Sequence, residues 1–60
     1  MRKWLKALRT ESQSVTAKKI GISKSMYIAI ESGRKSPSLE SAIKIADVMG
    51  FSMELWKGDK

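Results

Sequence analysis

The residues of this chain that could do chemistry are mostly cations. Its 60 residues hold 12 Lys and Arg against 6 Asp and Glu, a formal charge of +6, with no histidine and no cysteine. Without those two residue types the usual zinc ligands, the usual general base, disulfides and thiol chemistry are missing. Glu40 and Asp47 lie seven apart on one segment, but no histidine, cysteine or clustered carboxylate accompanies them, and neither does a Gly-rich phosphate loop. The expectation is a protein that is not an enzyme, with no metal, no cofactor and no evident small-molecule ligand.

What an excess of Lys and Arg does well is bind a polyanion, by steering it in and by releasing its condensed counterions. The cations are Arg2, Lys3, Lys6, Arg9, Lys18, Lys19, Lys24, Arg34, Lys35, Lys44, Lys57 and Lys60, with acids scattered singly among them. That interleaving argues against a disordered polybasic tail. Charge alone leaves solubility as the other reading. No apolar run approaches the roughly 20 residues of a membrane span, and no signal-peptide core follows the basic start.

The elements that must position these cations read as helices throughout. Trp4, Leu5 and Leu8 recur at helical spacing in a first helix over about 2–10. Ser12 or Ser14 can cap a second, over 13–20, with Ala17 and Ile20 inward, helped by Val15 or Thr16, and Gly21 as its stop. Ser23 can cap a third, over 24–32. Tyr27, Ile30 and Met26 form its inner stripe, Lys24, Ser25, Ile28 and Ala29 its outer arc, and Gly33 its end. A polar, basic loop follows, in which Pro37 holds the preceding residue extended. The fourth helix, over 39–49 after Ser38, is expected to bury Leu39, Ala42, Ile43, Ala46 and Met49 and to stop at Gly50. A last short turn over 53–56, capped by Ser52, closes the core with Phe51 and Leu55. The fold class is all-α: one compact domain over 1–60, a bundle of four to five short helices. Helices two and three meet across Gly21-Ile22-Ser23, too short for anything but a steep crossing. That is a helix-turn-helix arrangement, whose second helix can enter a major groove, where small residues such as Ser25 and Ala29 allow close approach.

From Ser12 to Trp56 the chain resembles the lambda-repressor/Cro-like helix-turn-helix proteins, the xenobiotic-response-element-type regulators. The resemblance lies in Ser12-Gln13, in A-x-x-I-G-I-S from Ala17 to Ser23, and in I-E-x-G from Ile30 to Gly33. It continues through Arg34-Lys35, through P-S-L-E from Pro37 to Glu40, and through K-I-A-x-V-x-G from Lys44 to Gly50. The MELW tail is similar to the final helix of small phage and plasmid members. The chain departs from the pattern in two places. About three fewer residues separate Leu8-Arg9 from Ser12, and Thr16 stands where an apolar residue is usual.

The resemblance implies sequence-specific binding of double-stranded DNA by a transcriptional regulator, a repressor, with helix 24–32 in the major groove. It puts Lys24, Ser25 and Ala29 at base edges, with Ile28 bordering them. Lysine can donate to guanine O6 and N7, and the alanine methyl can meet a thymine methyl. It puts Gln13, Ser23, Ser32, Arg34 and Lys35 at the sugar-phosphate backbone, and it makes Arg9 and Glu31 a structural pair. It implies a homodimer on a palindromic operator and a cytoplasmic location at the nucleoid. With Phe51 and Leu55 closing the core, Trp56 and Met53 are large apolar groups with little monomer left to cover them, and they are the expected dimer contacts. Trp56 folding back on Trp4 is the competing expectation for that residue. A protein-binding module of the same fold, an antitoxin or anti-repressor, is the alternative function.

Overall fold

The computed structural model describes residues 1–58 as five helices: α1 (Lys3–Leu8), α2 (Gln13–Ile20), α3 (Lys24–Ser32), α4 (Leu39–Met49) and α5 (Glu54–Lys57). The last two residues of the expected 1–60 domain lie outside the described residues.

The boundaries of the central three helices follow from serine and glycine chemistry. Ser12, Ser23 and Ser38 sit in extended backbone, and each accepts through its hydroxyl a backbone N–H that the helix cannot satisfy, from Val15, Met26 and Ser41 respectively. At the other ends Gly21, Gly33 and Gly50 take positive φ, and among the described residues no other type does. A residue with Cβ would be strained there.

α1 is shorter than its pattern suggests. It ends at Leu8, and Arg9 swings into extended backbone with ψ 124°. The guanidinium of Arg9 then turns inward, with Nη1 donating to the Glu11 carbonyl at 2.7 Å. The shortened link to α2 is thus accommodated by the early end of α1. Ser52 does accept the Glu54 N–H, and α5 runs one residue later than expected.

The core is small and centred on Leu5, Ala17, Ile20, Tyr27, Ile30 and Ile45, with Trp4, Ile22, Met49, Phe51 and Trp56 packed against it. Three expectations are corrected. On α4, Leu39 is 74% exposed and Ile43 51%, while Ile45 is fully buried in their place. Alanines at 42 and 46 let α4 approach α2 closely, and that turns the face centred on Ile45 inward. On α1 and α3 Leu8 and Met26 are exposed; on α2, where Val15 or Thr16 could face inward, it is Thr16 that is buried beside Ala17. In the tail, Leu55 is exposed, and Trp56 faces inward instead. The larger ring covers the open end of the core, edge-on to Trp4 with centroids 5.1 Å apart. Phe51 completes the cluster at 5.4 Å from Trp4. Among the described residues no helix is long and apolar enough to cross a membrane.

Candidate nucleic-acid interface

The outer arc of α3 is where the expected base-reading residues gather. Lys24 and Ser25 are exposed in the first turn, and Ile28 and Ala29 are partly exposed one turn on. With 9 residues α3 is about 13 Å long, and at about 10–12 Å across with its side chains it fits into a major groove about 12 Å wide. Ile22, in the turn between α2 and α3, is half-buried against the core.

The far end of α3 is built as a rigid corner. With Gly33 at φ 86°, the Gly33 N–H donates to the Ile30 carbonyl at 3.2 Å, and the Arg34 N–H reaches back to Ala29 at 2.9 Å. These bonds satisfy the last carbonyls of the helix in the manner of a Schellman turn. The Ser32 hydroxyl donates to the Ala29 carbonyl at 3.1 Å and accepts from Arg34 Nε at the same distance. Arg34 is thereby held along the end of the helix, with its remaining N–H groups outward. Lys35 is exposed beside it. Ser23, used as a cap acceptor for the Met26 N–H, is exposed at the start of the helix and still has a hydroxyl proton to donate.

Beneath α3 lies a polar cluster that the charge pattern alone does not announce. Glu31 is 3% exposed. Its carboxylate accepts from Arg9 Nε at 3.0 Å and from Arg9 Nη2 at 3.4 Å, a two-point contact that joins α3 to the end of α1. Gln13 Nε2 donates to the same carboxylate at 3.3 Å. Gln13 was expected to hold a phosphate and to brace the recognition helix; here its Nε2 points inward to Glu31 on α3. Tyr27, wholly buried, also faces Glu31. Burial pushes its phenol well above the ordinary range, and the nearby Glu31 carboxylate adds to the effect, opposed by Arg9, while the hydroxyl itself donates to Met49 Sδ at 3.8 Å. Three elements are thus pinned together by one buried acid.

Arg2 was read only as one more cation. It is buried and bonded to main-chain carbonyls of α3 and the following loop. An arginine that far from the helical stripe carries no signal in the sequence. Lys19 pairs with Glu11 on the surface. Beside α5 lies an open groove of about 410 Å³ lined by Pro37, Leu39, Ala42, Met53 and Trp56, with Arg2 and Lys57 at its ends. Met53 and Trp56, expected at a dimer contact, both border this groove, although Trp56 spends much of its surface on Trp4 and Phe51. Among the described residues no group of His, Cys, Asp and Glu could hold a metal ion.

This is the architecture of a helix-turn-helix domain, and the family HTH_3 (Helix-turn-helix) matches residues 1–56. The chain belongs to that family, a non-catalytic class of DNA-binding domains in transcriptional regulators. Its relatives span archaea and bacteria. It is similar to the uncharacterized HTH-type transcriptional regulator MJ0272 of Methanocaldococcus jannaschii, with 44% identity over 52 residues, which cover 87% of this chain and 79% of that protein. It is also similar to the uncharacterized HTH-type transcriptional regulator YqaF of Bacillus subtilis, at 37% over 62 residues, 98% of this chain and 82% of the relative. No solved structure matches.

Proposed function

We propose that the protein is a repressor of the lambda-repressor/Cro kind, of phage or plasmid type. In this reading it binds double-stranded DNA sequence-specifically as a homodimer at the nucleoid of the cytoplasm. The observation that carries the reading is the uncovered outer arc of α3, with Lys24 and Ser25 at one end and the Ser32–Arg34 corner at the other.

α3 lies in the major groove. Lys24 donates to guanine O6 and N7, Ser25 takes a neighbouring base edge, and Ile28 and Ala29 meet thymine methyls. Gln13, Ser23, Ser32, Arg34 and Lys35 hold the sugar-phosphate backbone on either side, which sets register without reading sequence. Gln13 can give a phosphate its free amide hydrogen while the other stays on Glu31, so the contact also braces α3. A net charge of +6 on so small a body supplies the long-range attraction.

One domain of this size makes too little contact for specific binding by itself. The groove beside α5, open and apolar, is the surface for a second copy. Leu39 on its rim is 74% exposed, and Pro37 carries the groove up to the loop that holds Arg34 and Lys35. The Cα trace measures 25 × 21 × 21 Å. Two such bodies docked side by side, each thickened by its side chains, set their centres roughly 34–36 Å apart, the separation of successive major grooves.

Selection from a randomised duplex library, followed by titration of the selected site at several salt concentrations, tests the whole reading. The expected product is a palindrome with two half-sites one helical turn apart and an affinity that falls steeply with salt. Failure to enrich any sequence, with binding to a protein partner instead, would favour the antitoxin or anti-repressor alternative.

A further inference from the structure

α3 has no basic residue in its last turn, yet a cation sits at that end. Arg2, from the segment before α1, donates from Nη1 to the Ile30 carbonyl and, at 3.0 Å, to the Lys35 carbonyl. Its backbone N–H donates to the Glu31 carbonyl at 2.8 Å. The guanidinium carbon lies 5.8 Å from the centre of the Trp56 ring. At 8% exposure, Arg2 is too far from solvent to act as a surface cation.

A guanidinium withdrawn from water needs its donors matched, and here Nη1 is matched to two main-chain carbonyls. The match has direction. The charge stands at the negative end of the α3 dipole, where a cation is favoured. Lys35 is gripped from both sides, because its N–H donates to Ala29 at 3.2 Å while its carbonyl accepts from Arg2. The loop that leaves α3 is thus closed into the helix end by a side chain from elsewhere in the sequence.

We propose that Arg2 is a positioning residue for DNA-backbone binding: it caps α3 from outside the helix and holds the Arg34–Lys35 segment where it meets phosphates. The proposal rests on the duplex-binding reading above. Arg2 itself touches no DNA; it acts through the main chain at Ile30 and Lys35.

The test compares wild type with Arg2→Met and Arg2→Lys, each with and without Arg34→Ala. Amide hydrogen exchange is read by NMR, and duplex binding at a temperature where circular dichroism shows every variant folded. In Arg2→Met the amides of Arg34 and Lys35 are expected to exchange about tenfold faster or more, as for loss of charge-assisted bonds. Gly21 and Ile22, which bond Ala17 at the equivalent end of α2, keep their protection. Affinity for random duplex falls several-fold, and Arg34→Ala costs less in the Arg2→Met background than in wild type. Arg2→Lys, a point charge without the planar fork, falls between, and it carries the comparison if Arg2→Met does not fold. Unchanged protection at Arg34 and Lys35 overturns the proposal. So does an Arg34→Ala effect that is the same in both backgrounds, since a merely structural Arg2 would lower stability and leave that effect alone. If wild type binds no duplex at any salt, the DNA reading fails. Lost protection at Arg34 and Lys35 would then still mark Arg2 as the clamp on the loop, and kept protection would overturn that too.

Discussion

Replacing Glu31 by alanine is expected to remove a large share of the stability of the domain. The carboxylate is 3% exposed and accepts two bonds from Arg9 and one from Gln13, at 3.0, 3.4 and 3.3 Å. Losing one partner of a buried ion pair costs about 3–5 kcal/mol, because the other charge is left in place. Here the Arg9 side chain is 18% exposed and keeps its bond to the Glu11 carbonyl. That puts the expected loss near the lower end, about 3 kcal/mol. A 60-residue domain has only about 3–9 kcal/mol in total, so the mutant should lose much of its folded baseline in urea. Urea titration followed by circular dichroism measures this. The double mutant Arg9→Met, Glu31→Leu supplies the control, since removing both charges leaves neither stranded. It should be more stable than the sum of the single losses by about 1–3 kcal/mol. An alanine mutant within about 0.5 kcal/mol of wild type, or strictly additive single mutants, would refute the reasoning.

Ile30→Ala, which empties a fully packed core position, should cost about 2–5 kcal/mol and lower the thermal midpoint sharply in calorimetry. In a binding titration, Lys24→Ala should cost about 1–3 kcal/mol on the selected site and less on random duplex. Arg34→Ala should instead weaken both alike and flatten the salt dependence. Tyr27, the single tyrosine, keeps its proton in the fold beyond the ordinary value of 10.0. An unfolded chain therefore releases a proton that the folded one retains. Stability should hold below about pH 10 and then fall by up to about 1.4 kcal/mol per pH unit, a slope that Tyr27→Phe should abolish in alkaline urea titrations.

The ends of α2, α3 and α4 were legible because each is signalled locally: a serine hydroxyl at one end, a glycine at the other, with no help needed from the rest of the fold. The facing of α4 was not. Leu39 with Ile43, and Ala42 with Ile45 and Ala46, make overlapping stripes that both satisfy helical spacing. The choice between them is made by how closely α4 packs on α2, which a single helix does not encode. The exchange of Leu55 for Trp56 in the tail has the same origin, because one turn is too short to define a face and the open end of the core selects the ring. At the candidate interface, the outward residues of α3 followed from the inward ones. The corner made by Ser32, Gly33 and Arg34 is local in the same sense. The inward use of Gln13 and the burial of Arg2 depend on partners far along the chain, Glu31 for one and the carbonyls of Ile30 and Lys35 for the other, and no local pattern carries them.

The ring contacts among Trp4, Phe51 and Trp56 have a consequence for how the chain reaches this structure. They join α1 to α5 across nearly the whole sequence, whereas the crossing of α2 and α3 needs only a three-residue turn. Short-range contacts close first, since the entropy of loop closure rises with the length of chain enclosed. The helix-turn-helix pair can therefore assemble early, and the aromatic cluster is the step that shuts the ring. The same contacts bear on opening. Loss of the ring contacts frees α5 first, because α1 stays tied to α3 through Arg2, Leu5 and the Arg9–Glu31 pair. Both tryptophans lie in that closure, so indole fluorescence reports the last event of folding and the first of unfolding.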